Sequence, residues 1–570
     1  MTPPRTGQAW IRRKRRIEMN VTVSELIVKY LQRLGIDTIF GMPGAHILPV
    51  YDRLYDSGIQ SVLVKHEQGA AFMAGGYARA SGRVSACITT AGPGATNLVT
   101  GIASAYADKL PVLVITGETS TNIFGKGGLQ ESSGEGGSID QLSLFKGITR
   151  YNRIIERTDY LAQALNRASK ILLSPNPGPV LLSFPFNVQS ELVDDAILDE
   201  IVTTKRPRRL NGASHSTAAI AEALLAAKQP IIVAGHGCIR SQAQLLVSQL
   251  SESLAIPVAS SLKAKGVIDE QSPMSLGSLG VTSSGHAYKY LVDHADLILF
   301  LGASFNERTS YLWEKTLLGN RTLVQIDNDP EQLDKVFEAD IAVQGEINEV
   351  LHDLLRHLEG KQRDSSEAKQ LIASLKGSDN SDYAIFQSGF SLVKKFFTEL
   401  EQAFPKDAVV FDDNIIFAQN FFQVASGNHY HPNSGVSSLG HAIPAAIGAR
   451  FAEKKPTFAI LGDGGFQMCC MEIMTAVNYR LPLNILLFNN STMGLIRKNQ
   501  HQHYNQRYIN CDFINPDFEA LAKSFGVNYR KLETEADVEQ MFAQDDLSGA
   551  INLIEMVIDK DKFPNYSSRR

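Results

Sequence analysis

Two short stretches carry residue types that suit one kind of chemistry: LGDGGF at 461–466 and FNNSTMG at 488–494. Asp463 offers a carboxylate oxygen, Asn490 an amide oxygen, and the bend at Ser491–Thr492 a backbone carbonyl. An all-oxygen set with room for phosphate oxygens suits Mg²⁺, whose octahedral shell is commonly completed by substrate phosphates. Gly462, Gly464 and Gly465 let the backbone approach a phosphate closely and open a helix N-terminus toward it. A lone Gly-Asp-Gly is a common strand-end turn that binds nothing. The second motif, at its particular distance, carries the reading.

That distance is set by the elements around it. Between Gly464 and Asn489 lie 24 residues, room for one helix and a return strand, so Asp463 and Asn490 fall at neighbouring strand ends. Apolar runs read as strands at Thr38–Phe40, Val62–Val64, Ser85–Thr89 and Val112–Ile115 in a first unit. A second unit holds Ile231–Ala234, Leu297–Leu301 and Leu323–Ile326. A third holds Ala408–Phe411, Thr457–Leu461, Leu483–Phe488 and Asn552–Ile558. Helical spacing separates them, as in Leu26, Ile27, Tyr30, Leu31 and Leu34, with Thr22 or Ser24 as the cap. Strand–helix alternation with short loops predicts an α/β chain of three doubly wound parallel-sheet domains, at 21–195, 210–360 and 383–570. Ligands of such sheets bind at the C-terminal strand ends.

Composition is that of an ordinary globular chain, 44% hydrophobic and 20% charged over 570 residues. A formal charge of −5 argues against a nucleic-acid surface, and no run approaches the roughly 18 apolar residues of a membrane helix. The five cysteines, Cys87, Cys238, Cys469, Cys470 and Cys511, have no metal spacing and read as reduced thiols of a cytoplasmic protein. Residues 1–20 contain Arg12, Arg13, Lys14, Arg15 and Arg16 but no apolar core of a signal peptide. They are read as a disordered tail; an organelle-targeting remnant or an upstream start before Met19 are the other readings.

The paired motifs resemble those of thiamine-diphosphate-dependent enzymes. The likeness to acetolactate synthases runs from Val21 to the last strand, through FGMPGAHILPVYD, VKHEQGAAFMAGGYARASG, TTAGPGATNLVTGIASAY, PGPVLLSFP and SSLGHAIPAAIGA. It implies a pyrimidine-binding first domain, a central domain and a third domain for the diphosphate and Mg²⁺. The metal ligands it implies are Asp463, Asn490 and Thr492. Such a cofactor needs a carboxylic acid beside its pyrimidine, in an apolar cleft where burial favours the proton-donating form. Glu67, at the end of strand SVLVKH, stands where the family has that acid; the bland reading is an exposed Glu beside Lys65 and His66. The resemblance also puts Pro43, Pro93 and Asn97 by the pyrimidine, Gln130 near the thiazolium, and Leu439 under the cofactor as an apolar wedge. Asp413, Asn414, Ser438, Met493, Gly494 and Leu495 complete the implied surroundings. It implies, too, that Glu67 of one subunit meets Asp463 of another in a homo-oligomer.

Implied activity is decarboxylation of a 2-oxo acid donor, pyruvate first, with transfer of the acyl unit to an acceptor. Simple decarboxylation, FAD-linked oxidation and acyl transfer are the alternatives within the family. A dehydrogenase built on the single Gly-His-Gly of VAGHGC and a non-catalytic relative lie outside it. FAD is a candidate for the central domain, although the expected Arg is Lys146. Acetolactate synthases bind a second keto acid through an Arg whose place here holds Ser304, and select it with a Trp whose place holds Asn499. His441 replaces a residue usually aromatic or small. Losing a buried cationic partner for a carboxylate weakens binding by about 2–5 kcal/mol. Arg497, Lys498, His501 and His503 are substitutes in the same stretch, unless that stretch is a solvated basic lid. After Gln130-Glu131, an insertion SSGEGGS predicts a longer, flexible, polar loop. Together these departures point to an acceptor larger or more polar than a second pyruvate.

Overall fold

The computed structural model describes residues 20–204, 213–363, 365–377, 385–386 and 389–566. The basic tail expected at 1–20 lies outside them except for Asn20, as do parts of both expected linkers. Short runs of buried β-branched and aromatic residues pair into sheets. In chain order the strands are β1 (Asn20–Thr22), β2 (Thr38–Gly41), β3 (Gln60–Leu63), β4 (Ser85–Thr89), β5 (Val112–Glu118), β6 (Tyr151–Ile154), β7 (Val180–Pro185) and β8 (Leu192–Asp194). Then come β9 (Pro230–Ala234), β10 (Val258–Ser260), β11 (Ser275–Ser278), β12 (Leu297–Leu301), β13 (Thr322–Asp327) and β14 (Ile341–Gln344). The last set is β15 (Val409–Asp412), β16 (His429–Pro432), β17 (Thr457–Gly462), β18 (Leu483–Asn489), β19 (Asn528–Leu532) and β20 (Ile551–Val557).

Eighteen of these strands form three six-stranded parallel sheets, ordered β3-β2-β4-β5-β7-β6, β11-β10-β9-β12-β13-β14 and β16-β15-β17-β18-β20-β19, and β1 and β8 pair antiparallel beside the first. Counted from its own first strand, the first sheet runs 2-1-3-4-6-5 and the third repeats that order. The central sheet runs 3-2-1-4-5-6, the dinucleotide-fold order. In the outer sheets the order reverses direction between the first and third strands, which opens a crevice beyond β2 and β4 and beyond β15 and β17.

The outer domains pack through two helices of small residues, Glu67–Ser81 and Ala442–Ala452. A Cβ on Gly76 would run into the Ala445 carbonyl, and one on Gly448 into that of Met73, so glycine sets how closely these backbones approach. Their joint core is continuous across both sheets.

Several expectations change. The sequence reading passed over β1, β6, β8, β10, β11, β14, β16 and β19, three to five residues each and mostly sheet edges, where few apolar side chains mark a strand. Core packing of the first sheet continues through Leu198 to Ile201, beyond the boundary expected at 195. Thr22, not Ser24, caps the first helix, its hydroxyl accepting from Glu25 N. The inserted loop is tied rather than loose: Glu131 accepts from Gly125 N, Gly128 N and the Ser133 hydroxyl, and Gly134 N donates to Ile139 O.

Candidate active site

Glu67 does not end a strand. β3 stops at Leu63, and Glu67 is the first residue of the helix it opens, with His66 as N-cap accepting from Gln68 N through Nδ1. A carboxyl in a helix's first turn lies in the favourable field of the N-terminal N–H groups. Its side chain is buried, and Asn97 Nδ2 donates to Oε2 at 2.9 Å. Glu472 of the third domain, buried behind the turn, accepts from Lys65 N and His66 N, and a Cβ on Gly69 would strike its carboxylate. Burial pushes Glu472 above the usual carboxylate range, opposed by those bonds and one from Thr475. Sequence reasoning missed it, because the pairing spans two domains and follows no period.

The other first-domain residues gather at the crevice beyond β2 and β4. Gly44 touches Thr90 closely enough to exclude a Cβ, and the Thr90 hydroxyl donates to Gln130 Oε1 at 3.2 Å. His46 Nδ1 lies 3.3 Å from the same oxygen. Gln130 adopts φ +56°, and Gly92, at φ +59°, packs against it while donating to the Ser132 hydroxyl. Pro43 and Pro93 lie exposed on the rim. Thus Pro43, Glu67, Pro93, Asn97 and Gln130 share one end of one sheet; His46 and Thr90 are additions.

At the third sheet, Asp463 opens a helix directly after β17 and is buried. Its Oδ2 accepts from Asn490 N at 3.1 Å, Ser491 N at 2.6 Å and Asn515 Nδ2 at 2.8 Å, whereas Oδ1 accepts only from its own neighbour Gly464 N. One oxygen is saturated and the other keeps an open lone pair. Burial raises the Asp463 carboxyl above its ordinary range, against the pull of those hydrogen bonds. A cation at Oδ1 would offset that desolvation. Asn490 Oδ1 accepts from Thr492 N, which fixes the bend, and the Thr492 hydroxyl donates to Cys511 O. Asn515 is a second residue that sequence reasoning missed.

These groups line one cavity of about 280 Å³. Its walls include Asp413, Asn414, Leu439, Gly462 to Gly465, Asn490 and Thr492 to Leu495. A Cβ on Gly464 would lie 2.6 Å from Met493 Sδ, one on Gly465 3.0 Å from Asp413 Oδ2, and one on Gly494 2.9 Å from Asn490 Nδ2, so a larger residue at any of the three would displace a side chain that lines the cavity. Asp413 accepts from the backbone N–H groups of Gly440, His441 and Ala442 and so fixes the turn presenting Leu439; burial lifts its pKa to about 7. Ser438 sits in that turn, its carbonyl held by Asn433, and does not line the cavity. Asn414 accepts from Arg308 Nη1 at 2.8 Å, which ties the cavity to the central domain. The segment after β20 adds a wall, through Ile558, Lys560, Lys562, Phe563 and Pro564, that no motif signalled. Among the described residues none of the first domain lines the cavity, so Glu67 and Asp463 of one chain do not share it.

Ser304 lines a second cavity, of about 590 Å³, between the domains, together with Gly237, Arg240, Lys109 and Lys263. The glycine turns there pack on each other, Gly237 against Gly302. Lys146 is exposed and outside its lining.

Comparison with known proteins agrees with this layout. Residues 21–143 match the N-terminal TPP-binding domain of thiamine pyrophosphate enzymes, 217–354 their central domain and 414–550 their C-terminal TPP-binding domain. The chain is 33% identical over 555 residues to a probable acetolactate synthase large subunit of Methanocaldococcus jannaschii, covering 94% of this chain and 92% of that one. It is 31% identical over 535 residues to the acetolactate synthase isozyme 2 large subunit of Escherichia coli (92% and 93% covered). A probable 2-ketoarginine decarboxylase of Pseudomonas aeruginosa is 32% identical over 551 residues (95% and 94%).

Proposed function

The chain belongs to the thiamine pyrophosphate enzymes and is acetolactate-synthase-like, and from that premise we propose that it decarboxylates a 2-oxo acid, pyruvate first, and transfers the acyl unit to an acceptor. The observation that carries the proposal is the open Oδ1 of Asp463 beside the close-packed glycine turn of the cavity. Asp463 and Asn490 with the carbonyl at Thr492 would hold Mg²⁺, and the N–H groups of the glycine turn would face the diphosphate. Thiamine diphosphate, when bound, supplies a carbon nucleophile that adds to a 2-oxo acid and takes up the electron pair released with CO₂.

The chain's own residues then have distinct tasks. Glu67 has Oε2 engaged by Asn97, which leaves Oε1 as the atom that carries a proton to the pyrimidine nitrogen. Leu439, on a turn pinned by Asp413, is the apolar wedge, and Gln130, aimed by Thr90 and His46, hydrogen-bonds reacting oxygens. Because the cavity draws no wall from the first domain, a second copy of the chain supplies Glu67, and the active unit is at least a homodimer.

FAD stays an alternative for the central domain, where Gly237, Arg240, Lys263 and Ser304 line the second cavity, and no step of the proposal runs through it. Simple decarboxylation is the second reading, favoured by the relative named as a decarboxylase. Incubation of the protein with pyruvate, thiamine diphosphate and Mg²⁺, with CO₂ release and products followed by mass spectrometry across aldehydes and keto acids, tests both. No cofactor-dependent CO₂ release from any 2-oxo acid would sink the proposal; release without ligation would select the second reading. Efficient acetolactate formation from pyruvate alone would overturn the expectation of a larger acceptor.

A further inference from the structure

One buried acid of the first domain has no part in the chemistry above. Glu118 ends β5 at the same end of the sheet as the crevice and is 0% exposed. Its Oε1 accepts from Thr119 N at 2.8 Å and from Ser132 N at 3.0 Å, whereas Oε2 has no hydrogen-bond partner among the described residues. Glu131 is the charged group whose field reaches it, and no cation offsets its burial. A carboxyl kept inside a protein without a cation is costly, and chains seldom keep one without a task.

What the acid grips suggests the task. Ser132 is itself buried, and its hydroxyl donates to Gln130 O at 3.1 Å while accepting from Gly92 N at 2.9 Å. Gln130 thus lies between Ser132 and Gly92, at φ +56°, a conformation that residues other than glycine keep where their surroundings hold it. The Glu118 carboxyl reaches this turn from beneath, through the residue that fixes the Gln130 carbonyl. Resting on the carboligase reading above, we propose that Glu118 is the positioning residue for Gln130: its ionised carboxylate holds the Gln130–Ser132 turn to the end of β5 and so keeps the Gln130 amide aimed at the reacting oxygens.

Two features favour a carboxylate there over a neutral acceptor. Both N–H groups converge on a single oxygen, and hydrogen bonds to an ionised acceptor are about twice as strong as neutral ones. Oε2 stands where the nitrogen of an amide would be a buried donor with nothing to bond. Burial, helped by the Glu131 charge, pushes the Glu118 carboxyl up to about 6, against the pull of the Thr119 and Ser132 N–H groups. Above that pH the grip is complete; below it the acid takes up a proton and the turn loosens. β4 ends in Thr89 and β7 in Pro185, neither charged, while Glu135 and Asp140 of the loop are exposed. Glu131 and, beside Gln130, His46 are then the other titratable groups facing the turn.

The test is a double-mutant cycle of Glu118→Ala and Gln130→Gly, all proteins full-length and loaded with thiamine diphosphate and Mg²⁺. Glycine keeps the left-handed backbone at position 130 while removing the amide. Glu118→Gln keeps the shape without the charge, and runs through the same cycle if Glu118→Ala fails to fold. CO₂ release is followed with the 2-oxo acid that wild type turns over fastest, and hydrogen exchange at the Ser132 amide is the second readout. Expected in Glu118→Ala is a kcat about tenfold lower, as for a misplaced group, with KM near wild type. In the Gln130→Gly background the same substitution should cost less than about twofold, since the two residues act as one unit. Glu118→Gln should lie between, and should lack the wild-type step in kcat near about pH 6. Ser132 exchange should quicken about tenfold or more in Glu118→Ala. An equal kcat loss in both backgrounds, a step that survives in Glu118→Gln with His46 in place, or unchanged Ser132 exchange overturns the assignment. No turnover in wild type, alongside Glu118-dependent exchange, overturns the carboligase reading and leaves the grip on the turn in place.

Discussion

The first and third domains have the same sheet, strand for strand, and opposite chemistry at its open end. Beyond β2 and β4 stand one buried acid, an amide and two exposed prolines, and the acid is already bonded within its own domain by Asn97. Beyond β15 and β17 stand a glycine cradle, Asp463 with one oxygen open and, one helix turn on, a lysine with nothing to hold. One end has its acid bonded within its own domain; the other keeps a carboxylate oxygen with a lone pair open. Fold therefore decides where a site lies, and the strand-end residues decide what it does. Repeating the fold within one chain gives a two-headed cofactor a separate environment for each head.

The comparison breaks most sharply at the acid. Glu67→Gln keeps the Asn97 contact and the helix start but cannot give up a carboxyl proton. Turnover should fall on the order of 10²–10⁴-fold, with the melting temperature and cofactor affinity near wild type. Activity within a few-fold of wild type would remove Glu67 from its role. At the other end, Asp463→Ala deletes the open oxygen and the acceptor of four hydrogen bonds together. Metal-dependent affinity for thiamine diphosphate, by calorimetric titration, should drop by about 10²-fold, the upper range for loss of a metal-site group. The apo protein should also lose about 1–3 kcal/mol in denaturant unfolding from the stranded donors. Unchanged titration in the presence of Mg²⁺ would contradict the site.

Glu472 joins the two ends, and it sharpens the contrast at intermediate cost. Glu472→Gln removes the charge that orients the Lys65 and His66 N–H groups and thereby the turn before Glu67. Kcat should fall by about tenfold, an effect of misplacement rather than of lost chemistry, while the affinity for Mg²⁺ stays as it was. An equal loss of metal affinity would show Glu472 to be a general support of the third domain instead.

What was legible beforehand follows from the range of each interaction. Asp463 and Asn490 were readable because a βαβ unit of fixed length brings them together, and the three-sheet architecture because apolar runs recur with turns between. Glu67's burial could be inferred from its small-residue surroundings, but its helix start could not, since His66 is an uncommon cap. Asn515, Glu472 and the wall from Lys560 to Pro564 join residues far apart in sequence through single contacts, which leave no period to read. The insertion looked loose because its glycines are visible in sequence and the three bonds converging on Glu131 are not.

The smallest expected effect tests whether the open end is kept open at the expense of stability. Lys498 has an amine held at about 8 in the folded chain, by burial, against an ordinary 10.5. Below about pH 8 both states are protonated and the folded state bears the full penalty of an unpaired ammonium. Between about 8 and 10.5 the folded chain binds fewer protons than the unfolded one, so stability rises with pH across that window. The Tyr566 ring, 3.8 Å from that amine, returns part of the penalty, about 0.5–2 kcal/mol for such a cation–π contact. Methionine fills the same space without charge. Lys498→Met should therefore be more stable than wild type at pH 7, by on the order of 1–3 kcal/mol. The difference should shrink as pH climbs from 8 toward 10.5. Unfolding midpoints of both proteins across that range, without ligands, decide it. A wild type more stable than the variant at pH 7, or a difference that widens with pH, would mean that the amine has a partner in the folded chain and that the third domain is as closed as the first.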